Sequence, residues 1–149
     1  MSSPTPTPTQ NYANHAQVVP GFIAVGIVLL LTIIGGGVNT YQSWGDPQRI
    51  YSASLVLILS FCVFFVAFFC RTFALKAQDR AIRAEENLRH FVMTGRLLDP
   101  RLHTLQIVAL RFASDHEFVD LAKKSAEHST APKEIKQAIK NWRPDLYRA

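Results

Sequence analysis

The five histidines, the two cysteines and the pair Glu86 and His90 are the first residues of this 149-residue chain to weigh as metal ligands or nucleophiles. Glu86 and His90 lie four apart, so on a helix they would share a face and offer half of a metal site. No second pair of that kind lies nearby, and a solvated surface pair is the expected reading. His15, His90, His103, His116 and His128 are scattered. Cys62 and Cys70 are eight residues apart, about 12 Å along a helix, which is too far for a mutual disulfide. HExxH, GxSxG, CxxC and a glycine-rich phosphate loop are all absent. The expectation is a protein that is not an enzyme, with no catalytic residue, cofactor or metal. What remains is charge: Lys133, Lys136, Lys140 and Arg143 recur at helical spacing and would form a cationic stripe. Such a stripe suits anionic lipid headgroups or nucleic-acid phosphates, and a merely solvated face is the alternative.

The elements that must carry these residues begin with two apolar runs, 18–38 and 50–70. Each matches the roughly 20 residues needed to cross about 30 Å of hydrocarbon, and both read as transmembrane helices. A cleaved secretory signal is disfavoured for the first, because its flank NYANHAQ carries no Lys or Arg. Of the 16 Lys and Arg residues, only Arg49 precedes residue 71. That bias places the C-terminal part in the cytoplasm, and two spans return the N-terminus to the same side. Tyr41, Trp44 and Tyr51 flank the outer ends, where amphipathic rings favour the headgroup layer. Neither span carries an ionisable side chain of the type that marks ion pathways, which argues against ion transport. The prefix MSSPTPTPT alternates Pro with Ser or Thr, so residues 1–17 are expected to be a disordered cytoplasmic tail.

No proline or glycine separates the second span from the charged sequence after it. The spacing predicts one helix running on to about Gly95, with a stripe repeating every three and four residues: Ala53, Val56, Ser60, Val63, Ala67, Cys70, Ala74, Ala77, Ala81, Ala84, Leu88 and Phe91. Most of these residues are small, which lets helix backbones approach closely in lipid. Gly21, Ala24, Val28, Leu31, Gly35 and Val38 repeat the spacing in the first span and are the expected partner there. Below the membrane the stripe would be covered by the C-terminal helices, a second copy or another membrane protein. The alternative is that alanine is simply a good helix former. Asp79 with Arg83, Glu85 with Arg89 and Glu86 with His90 are expected as surface pairs four apart.

Three short helices should follow. Leu102, Leu105, Val108, Ala109 and Phe112 have helical spacing. Ser114 and Glu117 read as a capping box for the next helix, whose inner face would be Phe118, Leu121, Ala122 and Ala126. The last helix begins near Pro132 and runs to about Trp142, burying Ile135, Ala138, Ile139 and Trp142, with Trp142 and Tyr147 available to a lipid interface. About fifty residues sustain little independent core, so these helices should lean on the long helix or on a partner.

The stretches QNYANH (10–15), RTFALKAQDRAIRAEENLRHF (71–91), QIVALRFASD (106–115) and KEIKQAIKNWRPD (133–145) together resemble a family of small bacterial two-span membrane proteins classed as a domain of unknown function. The resemblance implies a protein of the bacterial inner membrane and brings no catalytic or ligand residues with it. Ala131 stands where similar sequences carry a capping Ser, so this helix start should be weaker. The resulting expectation is an all-α membrane protein: a transmembrane hairpin (18–70), then a cytoplasmic helical region (71–149) built from the continued second helix and three short helices. Its function is expected to be membrane-anchored interaction or scaffolding, with the bilayer and a second copy or another membrane protein as partners. The alternative is a cytoplasmic-face module binding anionic lipid through its basic last helix, with nucleic acid the less favoured ligand.

Overall fold

A proline in the first turn and an unbroken apolar run define the first helix, α1, Pro20–Gln42. The computed structural model describes residues 10–16 and 18–145. Thr32 and Thr40 donate their hydroxyls to the carbonyls of Val28 and Gly36, each 2.8 Å away, so neither leaves a polar group unsatisfied on an apolar helix. The chain then turns within four residues, with Gly45 at φ +97°, a conformation open to glycine. Asp46 accepts the N–H groups of Gln48 and Arg49 and caps α2, Pro47–Thr94. The cap explains why this helix starts three residues before the expected span. Its 48 residues run without interruption to Gly95, whose φ of +72° ends it.

The chain divides into two units, residues 18–74 and residues 1–17 with 75–149. In the first, Gly36 is the α1 glycine that lies against α2, where an added Cβ would lie 3.3 Å from Leu57 Cδ1. Near the other end of the same unit the Arg71 guanidinium sits over the Phe22 ring at 5.6 Å. The covered positions of α2 here are Ala53, Leu57, Ser60, Phe64, Ala67 and Arg71, and those of α1 are Gly26, Leu29, Ile33, Gly36 and Thr40. Almost every large apolar side chain outside these faces is exposed.

In the second unit, α3 (Thr104–Leu110), α4 (Asp115–His128) and α5 (Pro132–Ala138) enclose a core of Leu98, Leu102, Ile107, Leu110, Phe112, Phe118, Ile135 and Ile139. The end of α2 contributes Ile82 and Glu86 to the buried surface. Leu105, one of the residues at helical spacing, is exposed, while Ser125 joins the inner face of α4 with its hydroxyl returned to the Leu121 carbonyl. The capping box at Ser114 does not form. Glu117 turns its carboxylate to the N–H groups of Lys140 and Asn141 at 3.1 and 2.9 Å, leaving Ser114 Oγ 3.5 Å away. At α5 the Glu134 carboxylate accepts the Ala131 N–H at 3.3 Å, so half of a capping arrangement survives without the Ser hydroxyl.

Two further expectations change in this unit. The last helix stops at Ala138, and Ile139 is extended at φ −68°, ψ 122°. Residues 141–143 pair instead with 112–114: Ser114 N–H donates to Asn141 O at 3.0 Å, and Arg143 N–H to Phe112 O at 2.7 Å. Continuing the helix would forfeit both bonds and unseat Ile139. Residues 10–16, expected at the end of a disordered tail, instead form a turn held by the Asn11 and Asn14 side chains and docked on the C-terminal helices. The Pro/Thr stretch 1–9 and Tyr147 lie outside the described residues.

Candidate functional site

Three features are candidates, two in the second unit and one along α2, and the first is a cluster of charge around Glu86. This carboxylate is 7% exposed, and burying it demands partners. Arg89, one helical turn on, supplies Nη1 at 2.9 Å. The same guanidinium donates from Nη2 to the Ala113 carbonyl at 2.8 Å and from Nε to Asp115 at 2.9 Å. Its plane lies over the Phe118 ring at 4.3 Å. One side chain on α2 therefore ties together the carbonyl before α4, the first residue of α4 and a core aromatic ring. Arg143 approaches Glu86 at 3.9 Å, and Arg111 pairs with Asp145 at 3.0 Å. A cleft of about 270 Å³ opens beside them, lined by Ile82, Glu86, Arg111, Arg143 and Asp145. The hydrogen bond from Arg89 holds the Asp115 carboxyl below its ordinary pKa.

This cluster corrects the expected pairing along α2. Arg89 reaches Glu86 and Asp115 rather than Glu85, because its guanidinium is drawn inward to an otherwise uncompensated buried carboxylate. His90 pairs with the Arg96 carbonyl through Nδ1 at 2.7 Å instead of with Glu86. Among the described residues no three His, Cys, Asp or Glu side chains converge as a metal site. The Arg89 guanidinium thus bridges two carboxylates and a backbone carbonyl, an arrangement that fixes the segments it joins.

The second feature is the docking of the N-terminal turn. His15 donates from Nδ1 to the Tyr12 carbonyl at 2.7 Å, which leaves the Nε2 lone pair to accept from Lys136 Nζ at 3.1 Å. Its ring packs against Phe112 and Trp142, each 5.7 Å between centroids. Gln10 accepts the Asp145 N–H at 2.8 Å. Nothing in the local sequence at 10–16 announces this role. An isolated histidine beside Tyr12, with a Trp more than a hundred residues later, is the only signal.

The cationic stripe is divided. Lys133 is exposed on α5, Lys136 is half-buried against His15 and Phe112, and Lys140 and Arg143 lie beyond the helix, with Arg143 facing Glu86. The four do not share one face.

The third feature is the long stripe on α2. Ala53 and Ser60 are buried, Ala67 is half-buried, and Val56, Val63, Cys70, Ala74, Ala77, Ala81, Ala84, Leu88 and Phe91 are exposed. The α1 positions expected to meet it, Gly21, Ala24, Val28, Leu31, Gly35 and Val38, are all exposed, and Gly36 makes the close contact instead. The physical reason is period. A 3.5-residue repeat drifts about 20° per heptad around an α-helix. The covered positions of α2 from Ala53 to Arg71 keep the helix's own period, eighteen residues in five steps. In the second unit the covered face is Gln78, Ile82, Glu86 and Arg89. The stripe therefore starts on a covered face and ends on one that is exposed among the described residues.

Comparison with curated proteins and with solved structures returned no match. A family model, described as a family of unknown function and designated DUF6526, matches residues 7–149. From the N-terminal turn through both long helices to the last residue, the chain belongs to this family.

Proposed function

We propose that this protein is a non-enzymatic, membrane-anchored interaction protein of the bacterial inner membrane. In this reading α1 and the first half of α2 form a two-span hairpin, and the second unit is held on the cytoplasmic face. The observation that carries the reading is the docking of residues 10–16 on the C-terminal helices, with two long apolar helices between those segments in the chain. Segments packed together lie on one side of a bilayer, and an even number of spans brings them there. The antiparallel arrangement draws support from the two contacts in the first unit. Fourteen residues back along α1 from Gly36 is Phe22, and fourteen forward along α2 from Leu57 is Arg71, so both contacts fall on one register.

Lipid is the solvent this surface calls for. Phe22, Ile27, Leu31, Leu59, Phe65 and Phe68 are among many large apolar residues exposed by 41–63%, far more than a soluble monomer tolerates in one patch. Tyr41 and Trp44, each 81% exposed, and Tyr51 at 70% cluster around the short turn, as an interfacial belt requires. Fifteen of the 16 Lys and Arg residues follow Cys70, which favours a cytoplasmic second unit. Arg89, which ties Glu86 to Asp115 and the Ala113 carbonyl, supports a structural use of that cluster.

Topology is tested with single cysteines in a chain whose Cys62 and Cys70 are replaced by Ala. In intact spheroplasts a membrane-impermeant maleimide should label Gln48→Cys but label Glu127→Cys only after permeabilisation. Equal labelling of both sites refutes the topology. An interaction role requires crosslinked species larger than the chain in native membranes, and a strictly monomeric protein refutes it.

A further inference from the structure

We infer that the open face of α2 in the second unit, Ala77 to Val92, binds a second copy of this chain as a parallel two-stranded coil. The inference rests on the membrane reading above, since two copies with one topology send α2 out of the bilayer in the same direction. At about 100° per residue, Ala77, Ala81, Ala84, Leu88 and Phe91 centre on the side of the helix opposite Ile82 and Glu86. Ala77, Ala84, Leu88 and Phe91 point away from the chain's own core, while Ala81 and Glu85 stand at the rim of the cleft beside Glu86. Leu88 is 63% exposed, Phe91 49% and the neighbouring Val92 76%. Lipid does not cover them, because Lys76, Asp79, Arg80, Arg83 and Glu85 ring the same segment with charge.

Charge complementarity selects the occupant. With Ala77, Ala84 and Phe91 at heptad d positions and Ala81 and Leu88 at a, Arg80 falls at g and Glu85 at e. In a parallel pair, a g residue meets the e residue five positions on in the other strand. Arg80 of one copy therefore faces Glu85 of the other, and two-fold symmetry makes the pair twice. Both side chains are exposed, and neither takes part in an ion pair among the described residues. Alanine at four successive layers from Ala74 to Ala84 allows close approach, and Leu88 and Phe91 supply the apolar bulk. The same spacing accounts for the 3.5-residue period, which a helix packed only within its own chain does not need.

The test uses the full chain in native membranes, with Cys62 and Cys70 replaced by Ala. Oxidation of Ala84→Cys should give a disulfide dimer of about twice the 16.7 kDa chain mass, while Arg83→Cys, off the stripe, stays monomeric. In the Ala84→Cys background, Arg80→Glu or Glu85→Arg alone should cut the dimer yield about fivefold at low salt, through two lost pairs and two like-charge contacts. The double exchange should restore it. A monomer at Ala84→Cys, an adduct of another mass, or failure of the double exchange to rescue each overturns the second copy as occupant. These positions are exposed, so the variants leave the core intact, and retention of the chain after alkaline extraction is scored in parallel. Loss of membrane retention defeats the membrane reading itself, whereas a retained but uncrosslinked chain defeats the dimer alone.

Discussion

Replacing Arg89 by Met should cost more than any other single surface-proximal change in the second unit. The substitution keeps length and helix propensity but removes the donors to Glu86, Asp115 and the Ala113 carbonyl. Glu86 would be left 7% exposed with only Arg143 at 3.9 Å. Breaking a buried pair by removing one partner costs about 3–5 kcal/mol. The neighbouring cleft admits water and Arg143 is able to close in, so about 2–4 kcal/mol is the expected loss. At a urea dependence near 1 kcal/mol per molar, the midpoint should fall by about 2 M or more. Trp142 reports this unit directly once Trp44→Phe removes the other indole, so fluorescence of the full chain in mild detergent follows the transition. The pair Glu86→Leu with Arg89→Met removes the buried charge as well and should recover at least half of the loss. If Arg89→Met costs less than about 1 kcal/mol, or the double variant is no better than the single, then the carboxylate is not the reason Arg89 matters.

Gly36→Val should weaken the packing of α1 on α2 by about 1–3 kcal/mol, because its Cβ would meet Leu57 Cδ1 at 3.3 Å and Cα at 3.5 Å. Gly35→Ala and Gly37→Ala, with nothing within 4 Å, should be nearly neutral, and disulfide trapping between α1 and α2 in membranes distinguishes the three. Glu117→Ala removes the acceptor for two backbone N–H groups and should lower the unfolding free energy by about 1–2 kcal/mol, read by the same Trp142 fluorescence. His15→Ala should raise hydrogen exchange at residues 10–16 at least tenfold while leaving α4 amides unchanged, since the turn is held through that ring. The Asp115 carboxyl titrates below its ordinary value, so its contribution is complete above about pH 4 and disappears as pH falls through the lowered folded value. Asp115→Asn should flatten that part of the stability-against-pH curve.

Much of this architecture is legible along the chain because its signals are local. Twenty apolar residues specify a span-length helix wherever they occur, Gly95 marks the end of α2, and the spacing of Phe118, Ala122 and Ala126 identifies the inner face of α4. The charged cluster was not legible in its true pairing. A carboxylate and a guanidinium four apart on a helix predict a surface pair, and only burial of Glu86 against Arg111 and Arg143 makes the i,i+3 partner the one that matters. The same holds for Glu117, whose capping signature is local but whose acceptors are claimed by a strand-like segment more than twenty residues away.

By itself, then, the chain's order of residues determined the helical class, the two apolar helices, the uninterrupted run from Pro47 to Thr94 and the distribution of positive charge. Those properties follow from solvation and backbone geometry within a few turns. Tertiary structure alone decided which face of α2 is covered, where α5 gives way to the pairing of residues 141–143 with 112–114, and that His15 joins Trp142 across the length of the chain. Each of these depends on contacts between segments far apart in sequence, where small differences in burial and hydrogen-bond satisfaction outweigh local preference.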